Sequence, residues 1–329
     1  MNRADYLALL DRIAATGGDS RLHWVSGPDA GASTPWDGAV TSVPGTPVHG
    51  LGGALHETPD ASCYAETLLG HPRLVIAGGG HVGTAFAPIA ATLGFDSVVI
   101  DERPEFADPA RFPASTQVLC GPYAETLASL PDYANTYYVM VTPGHRSDRA
   151  SAETCLARPY VYVGMIGSRA KVARVTQALL DAGVPQARID DLHAPIGLDL
   201  GGREPAEIAV AIAAEVIQVR ARSGSRAFDP AVAAELRALG DGPAVLSTIV
   251  GHGGSVPRGT GSRMLVTPDG AVAGSVGGGA VENASIKHSQ EMLRDGVRFD
   301  LVDHELSDAA GAALGMICGG RVRIMFEAL

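Results

Sequence analysis

Between residue 73 and about residue 222 the chain alternates short apolar runs with helical periodicities. The runs lie at 73–77, 97–101, 117–120, 137–142 and 160–166. Helical patterns fall near 82–93, 123–130, 147–157, 169–182 and 205–222. Strand–helix alternation at this spacing predicts a parallel sheet covered on both faces. Its crossovers are right-handed, and ligands bind beyond the carboxyl ends of its strands. Three polar clusters follow strands at that edge: Asp101-Glu102-Arg103, Pro143-Gly144-His145-Arg146-Ser147-Asp148 and Gly167-Ser168-Arg169-Ala170-Lys171. Each alone reads equally well as a solvated loop, but three on one edge predict a lined crevice. The 205–222 helix carries Ile208, Ile212, Glu215, Val216 and Val219 along one side, a stripe expected in the core.

The flanks read differently. Residues 4–15 form one short helix, with Leu7, Leu10 and Ala14 on a stripe and Gly17-Gly18 as its stop. Residues 17–60 are rich in Gly, Pro, Ser, Thr and Asp, with Trp24 and Trp36 as apolar anchors, and fit short strands joined by turns. Ser62 to Thr67 reads as a further strand, and 222–226 as a linker. Beyond it come a helix at 229–239, a strand from Ala244 to Val250, and a hairpin of 264–267 and 271–276 turning at Pro268-Asp269-Gly270. Gly277-Gly278-Gly279 opens a helix running to about Arg294, and 297–302 and 321–327 read as strands. The expected fold class is α/β: a Rossmann-like parallel-sheet domain at 71–226, a smaller α+β domain at 227–329, and residues 1–70 left without an assigned fold.

The most specific stretch is the first strand and its exit. Leu74-Val75-Ile76-Ala77 leads into glycines spaced G-x-G-x-x-G at Gly78, Gly80 and Gly83, then into a helix and a second strand ending at Asp101. In this context Gly78 permits the tight turn, Gly80 lets a phosphate approach the backbone, and Gly83 lets the helix pack on the strand. The unpaired amides at the start of that helix attract an anion. Asp101 stands where a carboxylate accepts from ribose hydroxyls, and Arg103 where a guanidinium meets a 2′-phosphate. His81, inside the loop, either reaches the phosphate or caps the turn. A second glycine-rich entry to a helix, Ser275 to Gly279, offers further amides from Gly277, Gly278 and Gly279, with Arg258 and Arg263 as candidate anion partners. The alternative there is an ordinary glycine turn with surface arginines.

Composition narrows the partners. A net charge of −11 over 329 residues argues against nucleic acid and against an anionic membrane surface. The four cysteines, Cys63, Cys120, Cys155 and Cys318, form no C-x-x-C, so neither a zinc site nor a disulfide scaffold is expected. With neither a signal-like start nor a long apolar run, the expected location is the cytoplasm. Cys318 reads either as a small buried hydrophobe or as a soft sulfur beside a metal or sulfur-rich ligand. His81, His145 and His193 are too scattered to read as a metal set, and no catalytic residue stands out.

The chain resembles the xanthine dehydrogenase accessory factor family (XdhC/CoxI type). The resemblance rests on Gly80-His81-Val82-Gly83 with Asp101-Glu102-Arg103-Pro104, and on His193-Ala194-Pro195-Ile196-Gly197-Leu198-Asp199-Leu200-Gly201 followed by Glu204-Pro205-Ala206-Glu207-Ile208-Ala209. In the small domain it rests on Gly254-Ser255-Val256-Pro257-Arg258, Met264-Leu265-Val266, Gly274 to Glu282, and Cys318-Gly319-Gly320. The commoner family order places the small domain first; here it follows the Rossmann domain. The resemblance implies a chaperone that binds the molybdenum cofactor (molybdopterin or its dinucleotide form), protects it, and inserts it into a molybdenum hydroxylase of the xanthine dehydrogenase or carbon monoxide dehydrogenase type. It also implies a cysteine desulfurase as a second partner and a homodimer that restores the usual pairing of domains. Under it, Gly78, Gly80, His81, Gly83, Asp101, Arg103, His145, Ser168, Arg169, Arg258, Arg263, Gly277, Gly278, Gly279 and Cys318 hold the cofactor. The competing functions are an NAD(P)-dependent oxidoreductase, which the glycine pattern and Asp101 serve equally, and a nucleotide-sensing regulatory module.

Overall fold

The computed structural model describes residues 1–35, 53–57, 59–222, 226–254, 256–305 and 320–329; Trp36, Ser255 and Cys318 lie outside them. In chain order its elements are α1 (Arg3–Thr16), β1 (Gly18–Ser26), β2 (Ser33–Pro35), β3 (Ala54–Glu57), β4 (Ser62–Leu69), β5 (Arg73–Ala77), α2 (His81–Thr92), β6 (Asp96–Asp101), β7 (Gln117–Cys120), α3 (Tyr123–Ser129) and β8 (Thr136–Met140). There follow α4 (His145–Leu156), β9 (Tyr162–Met165), α5 (Arg169–Asp181), α6 (Gln186–Asp190), β10 (Leu192–His193), α7 (Pro205–Arg222), β11 (Arg226–Ala227) and α8 (Pro230–Ala238). The last elements are β12 (Val245–Gly253), β13 (Arg263–Val266), β14 (Val272–Gly274), α9 (Gly279–Asp295), β15 (Phe299–Glu305) and β16 (Arg321–Ala328). Two compact units result: Met1–Ile13, Asp19–Leu68 and Gly224–Leu329 in one, Ala14–Gly18 and Leu69–Ser223 in the other. Residues 1–70 thus divide between the two.

The second unit is built on a parallel sheet in the order β7-β6-β5-β8-β9-β10. Counted from β5, this is the order 3-2-1-4-5-6 of a Rossmann-type fold, reversing direction between β5 and β8. The central strands β5, β6, β8 and β9 are buried and mostly apolar because both faces are covered, while the edge strands β7 and β10 are only partly buried. Leu74, Ile76, Val99, Tyr137 and Val139 pack with Phe86 and Ala90 of α2 and Ile212 and Val216 of α7. Alternate residues, Val75, Ala77, Ile100, Tyr138 and Met140, pack on the other face with Leu127 of α3, Cys155 of α4 and Leu179 of α5.

The first unit is antiparallel. One sheet runs β14-β13-β12-β16-β15; the other runs β11-β4-β1-β2, with β3 paired to β4. Tyr6, Leu9 and Leu10 of α1 share a core with Leu68 of β4, Val232 and Leu236 of α8, and Leu246 and Leu265. Segments from the beginning and end of the chain therefore build one body. Among the described residues no helix is long and apolar enough to cross a membrane.

Candidate functional site

The loop from β5 into α2 separates the duties of its glycines. Gly78 has φ +122°, where other residues are strained, and a Cβ there would lie 2.5 Å from the Val141 carbonyl oxygen. At Gly83 a Cβ would meet the Gly78 carbonyl oxygen at 2.0 Å, so this position is set by the packing of α2 on the strand end. Gly80 is different. It has extended backbone (φ −69°, ψ −164°) and a Cβ would meet nothing within 4 Å. Neither strain nor packing requires a glycine there, and the open space leaves the backbone approachable from outside. The amides of His81, Val82 and Gly83 open α2 without intrahelical partners, and Gly80 makes no side-chain cap to them. His81 is exposed.

Gly144, where α4 begins beyond β8, repeats the pattern: extended backbone and nothing within 4 Å of a Cβ. β5 and β8 are the neighbours between which the strand order reverses, so both glycines cap helices at the place where such sheets take ligands. His145 is the first residue of α4. In the same cluster Asp148 is fully buried, accepts from the Thr142 hydroxyl at 2.5 Å and pairs with Lys171. Ser168 caps α5 by accepting from the Lys171 amide at 3.2 Å, and Arg169 is exposed beside it.

Asp101 is at the end of β6, as expected, but has no exposed surface. Its Oδ1 accepts from the Arg103 amide at 3.0 Å and Arg103 Nε at 2.9 Å; its Oδ2 accepts from the Gly79 amide at 2.8 Å and Arg103 Nη2 at 2.9 Å. Burial alone would raise its pKa, but these donors hold it below the usual carboxylate range, and the hydrogen bond to the Asp101 carboxylate in turn raises the pKa of Arg103. The Arg103 guanidinium also lies 3.7 Å from the centroid of the Phe106 ring. Expected as two separate ligand contacts, Asp101 and Arg103 are bound to each other.

Glu215, expected in an apolar stripe, is a polar hub. Its Oε2 accepts from the Tyr162 hydroxyl at 2.5 Å and the Gly197 amide at 2.8 Å, and its Oε1 lies 3.2 Å from His193 Nδ1. The His193 and Tyr162 rings are 4.7 Å apart. A carboxylate on an otherwise apolar helix face is the available signal, since buried acids require partners.

In the antiparallel unit the second glycine entry is partly self-satisfied. Gly277, Gly278 and Gly279 all have positive φ, which only glycine adopts freely. Glu282 accepts from the Gly278 amide at 3.2 Å and from the Ser275 hydroxyl at 2.5 Å, while Ser275 Oγ accepts from the Gly277 amide at 3.2 Å. Arg263, expected to face an anion beside Arg258, is buried, with its Nη2 donating to both Glu66 oxygens at 2.5 and 2.6 Å, its Nη1 to the Gly261 carbonyl at 3.2 Å, and His23 on the same carboxylate at 2.9 Å. It lies on β13 between covered faces, so its guanidinium is committed within the core. Arg258 is exposed. A cleft of about 540 Å³, unforeseen from sequence, opens in this unit beside Gly251, His252, Gly253, Glu57, Arg321 and Arg323. Glycines inside β12 are its signal.

A Rossmann-type parallel sheet with a glycine loop at its switch point, joined in one chain to an antiparallel α+β unit, defines a two-part α/β class of protein. Residues 74–216 match the family model of the XdhC Rossmann domain, and residues 238–304 match that of the XdhC and CoxI family. The chain belongs to the XdhC and CoxI family, with the Rossmann domain first. It is 37% identical over 153 residues to the uncharacterised protein YqeB of Escherichia coli (strain K12), covering 45% of this chain and 27% of that one. It is 28% identical over 167 residues to a protein of Bacillus subtilis (strain 168) named as a probable xanthine dehydrogenase subunit, covering 51% and 48%. The chain thus spans 27% and 48% of the length of these curated relatives. A solved structure described as a xanthine dehydrogenase from Bacillus halodurans aligns at TM-score 0.46 and 22% identity, over 66% of this chain and 68% of that one.

Proposed function

We propose that the protein is an accessory factor that binds the molybdenum cofactor and delivers it to a molybdenum hydroxylase of the xanthine dehydrogenase type. Family membership supports the accessory role, and the Bacillus subtilis relative bears the name of a xanthine dehydrogenase subunit. The observation that carries the binding half is Gly80, a glycine that neither its backbone angles nor its neighbours require. The cofactor is a pterin bearing a phosphate and a dithiolene-bound molybdenum, and when bound it supplies the redox centre that the client enzyme uses.

The fit is clearest for the phosphate. The amides of His81, Val82 and Gly83 and the positive end of the α2 dipole hold an oxyanion over Gly80. Gly144 leaves the start of α4 equally open on the far side of the switch point. In this reading the chain acts in the cytoplasm as a homodimer, and a cysteine desulfurase sulfurates the bound cofactor before transfer.

The test is anaerobic titration with isolated molybdenum cofactor, counting molybdenum and pterin per chain, with Gly80→Val beside the wild type. The valine Cβ enters empty space, so the fold is retained while the phosphate position is filled. Equimolar molybdenum and pterin on the wild type and a large loss in Gly80→Val are expected. No binding by the wild type would overturn the proposal.

A further inference from the structure

We infer that Asp101 and Arg103 together bar a nucleoside ribose from the end of β6, so that the crevice at Gly80 takes a phosphate ester of a non-nucleoside and not NAD or NADP. The identity of that ester as a pterin phosphate rests on the accessory-factor reading above; the exclusion of the ribose does not.

In dinucleotide-binding folds the acid at the end of the second strand accepts from the adenosine ribose hydroxyls. It needs free acceptor positions and a surface to present them. A carboxylate has about four lone-pair positions. At Asp101 four donors fill them: the Gly79 and Arg103 amides and Arg103 Nε and Nη2, all within 3.0 Å. The carboxylate also has no exposed surface. Arg103 covers it, with 31% of its own side chain exposed and its guanidinium flat on Phe106.

The same geometry disfavours NADP. A guanidinium grips a 2′-phosphate with two parallel donors, but Arg103 Nε and Nη2 already point inward at Asp101. Releasing them to a ligand would leave a buried carboxylate with only its two backbone donors, and breaking a buried pair in this way is strongly unfavourable. The crevice therefore keeps the anion-binding half of the dinucleotide fingerprint and has closed the ribose-reading half from within.

Removing the arginine side chain should reopen it. Arg103→Ala frees two acceptor positions and uncovers them, and Arg103→Met does the same while keeping apolar contact with Phe106. The full chain is titrated calorimetrically with ADP-ribose, 2′-deoxy-ADP-ribose and isolated molybdenum cofactor. Wild type should show no saturable ADP-ribose binding in the millimolar range. Either variant should gain roughly 10- to 100-fold for ADP-ribose, the size of a hydrogen bond to a charged group, and the gain should vanish with the 2′-deoxy compound. Micromolar ADP-ribose binding by the wild type overturns the inference whatever the variants do. So does absence of any gain in a variant whose circular dichroism matches the wild type. If the wild type fails to bind the molybdenum cofactor but the ADP-ribose gain appears, the accessory reading falls and the ribose exclusion stands.

Discussion

Glu66 gives the sharpest test of how the antiparallel unit is held together. Its side chain is 3% exposed and that of Arg263 is 1% exposed. Burial raises the Glu66 pKa, but the charge of Arg263 and the hydrogen bond from His23 more than offset this, holding it at about 2 against an ordinary 4.5. At 1.36 kcal/mol per pKa unit, that difference contributes about 3 kcal/mol. The sign follows from the depressed folded-state value: the contribution is complete above the unfolded pKa and is lost as pH falls through the folded one. Glu66→Gln should therefore cost about 3 kcal/mol at neutral pH, with a melting temperature lower by ~6–12 °C. Because it lacks the titrating group, the gap to the wild type should close between pH ~4.5 and ~2. Urea unfolding of both proteins across that window, followed by circular dichroism, measures the gap directly. A gap that stays constant down to the lowest pH would refute the assignment. Replacing both partners, as Glu66→Leu with Arg263→Met, should bring stability back to within ~1 kcal/mol of the wild type, since only a lone buried charge is strongly unfavourable.

Three other outcomes follow from the geometry. Gly83→Ala should destabilise the parallel-sheet unit by ~1–3 kcal/mol in urea unfolding, because α2 must move off the Gly78 carbonyl, whereas Gly80→Ala should stay within ~0.5 kcal/mol. Glu215→Ala should cost ~2–4 kcal/mol by leaving the Tyr162 hydroxyl and the Gly197 amide without an acceptor; equal stability of the variant would show that the hub is dispensable. Among the described cysteines, Cys120 is exposed while Cys63 and Cys155 are buried with thiol pKa values pushed up by burial, so a thiol reagent followed by peptide mapping should label Cys120 in the native protein and the other two only after denaturation.

The parallel-sheet unit is legible because its central strands β5, β6, β8 and β9 are buried on both faces and so read as largely apolar runs. Runs expected at 73–77 and 117–120 fall on β5 and β7 residue for residue, and a helix expected at 205–222 is α7. The polar interior is not legible, for a physical reason. Glu66 and Arg263 are 197 residues apart and Tyr162 and Glu215 are 53 apart, and nothing local in a sequence ties such positions together. What sequence does reveal is the anomaly: an acid in the apolar strand Ser62–Leu69, another in the apolar face of α7. Each is unfavourable there unless paired, so each announces a partner without naming it. Asp101 is the instructive case. Its position at the end of β6 follows from spacing, but its availability depends on the conformation of Arg103 two residues on, which spacing does not determine.

The glycines sort the same question from the other side. A glycine held by positive φ or by a neighbour's approach says that the fold needs it; Gly78 and Gly83 are of that kind. A glycine in ordinary extended backbone with open space before it is required by neither strain nor packing, and is favoured over alanine only as a helix N-cap. Gly80 and Gly144 are both of this second kind, and both start helices at the carboxyl edge of adjacent strands where the sheet reverses. Alanine at either would meet no neighbour, and the lower entropy of its unfolded chain would offset its poorer N-cap propensity, so the net change in stability is small. Under the proposed function, both leave room for a ligand to approach the backbone at the two helix ends. A single phosphate occupies one such end. A ligand that touches both must carry a second polar group across the switch point, and in the proposed function a phosphorylated pterin, with the carbonyl oxygen and nitrogens of its ring edge, meets that requirement without using a ribose. Gly144→Val should then weaken cofactor binding as Gly80→Val does while leaving unfolding in urea within ~0.5 kcal/mol of the wild type, and full retention of binding in Gly144→Val would confine the ligand to the α2 side.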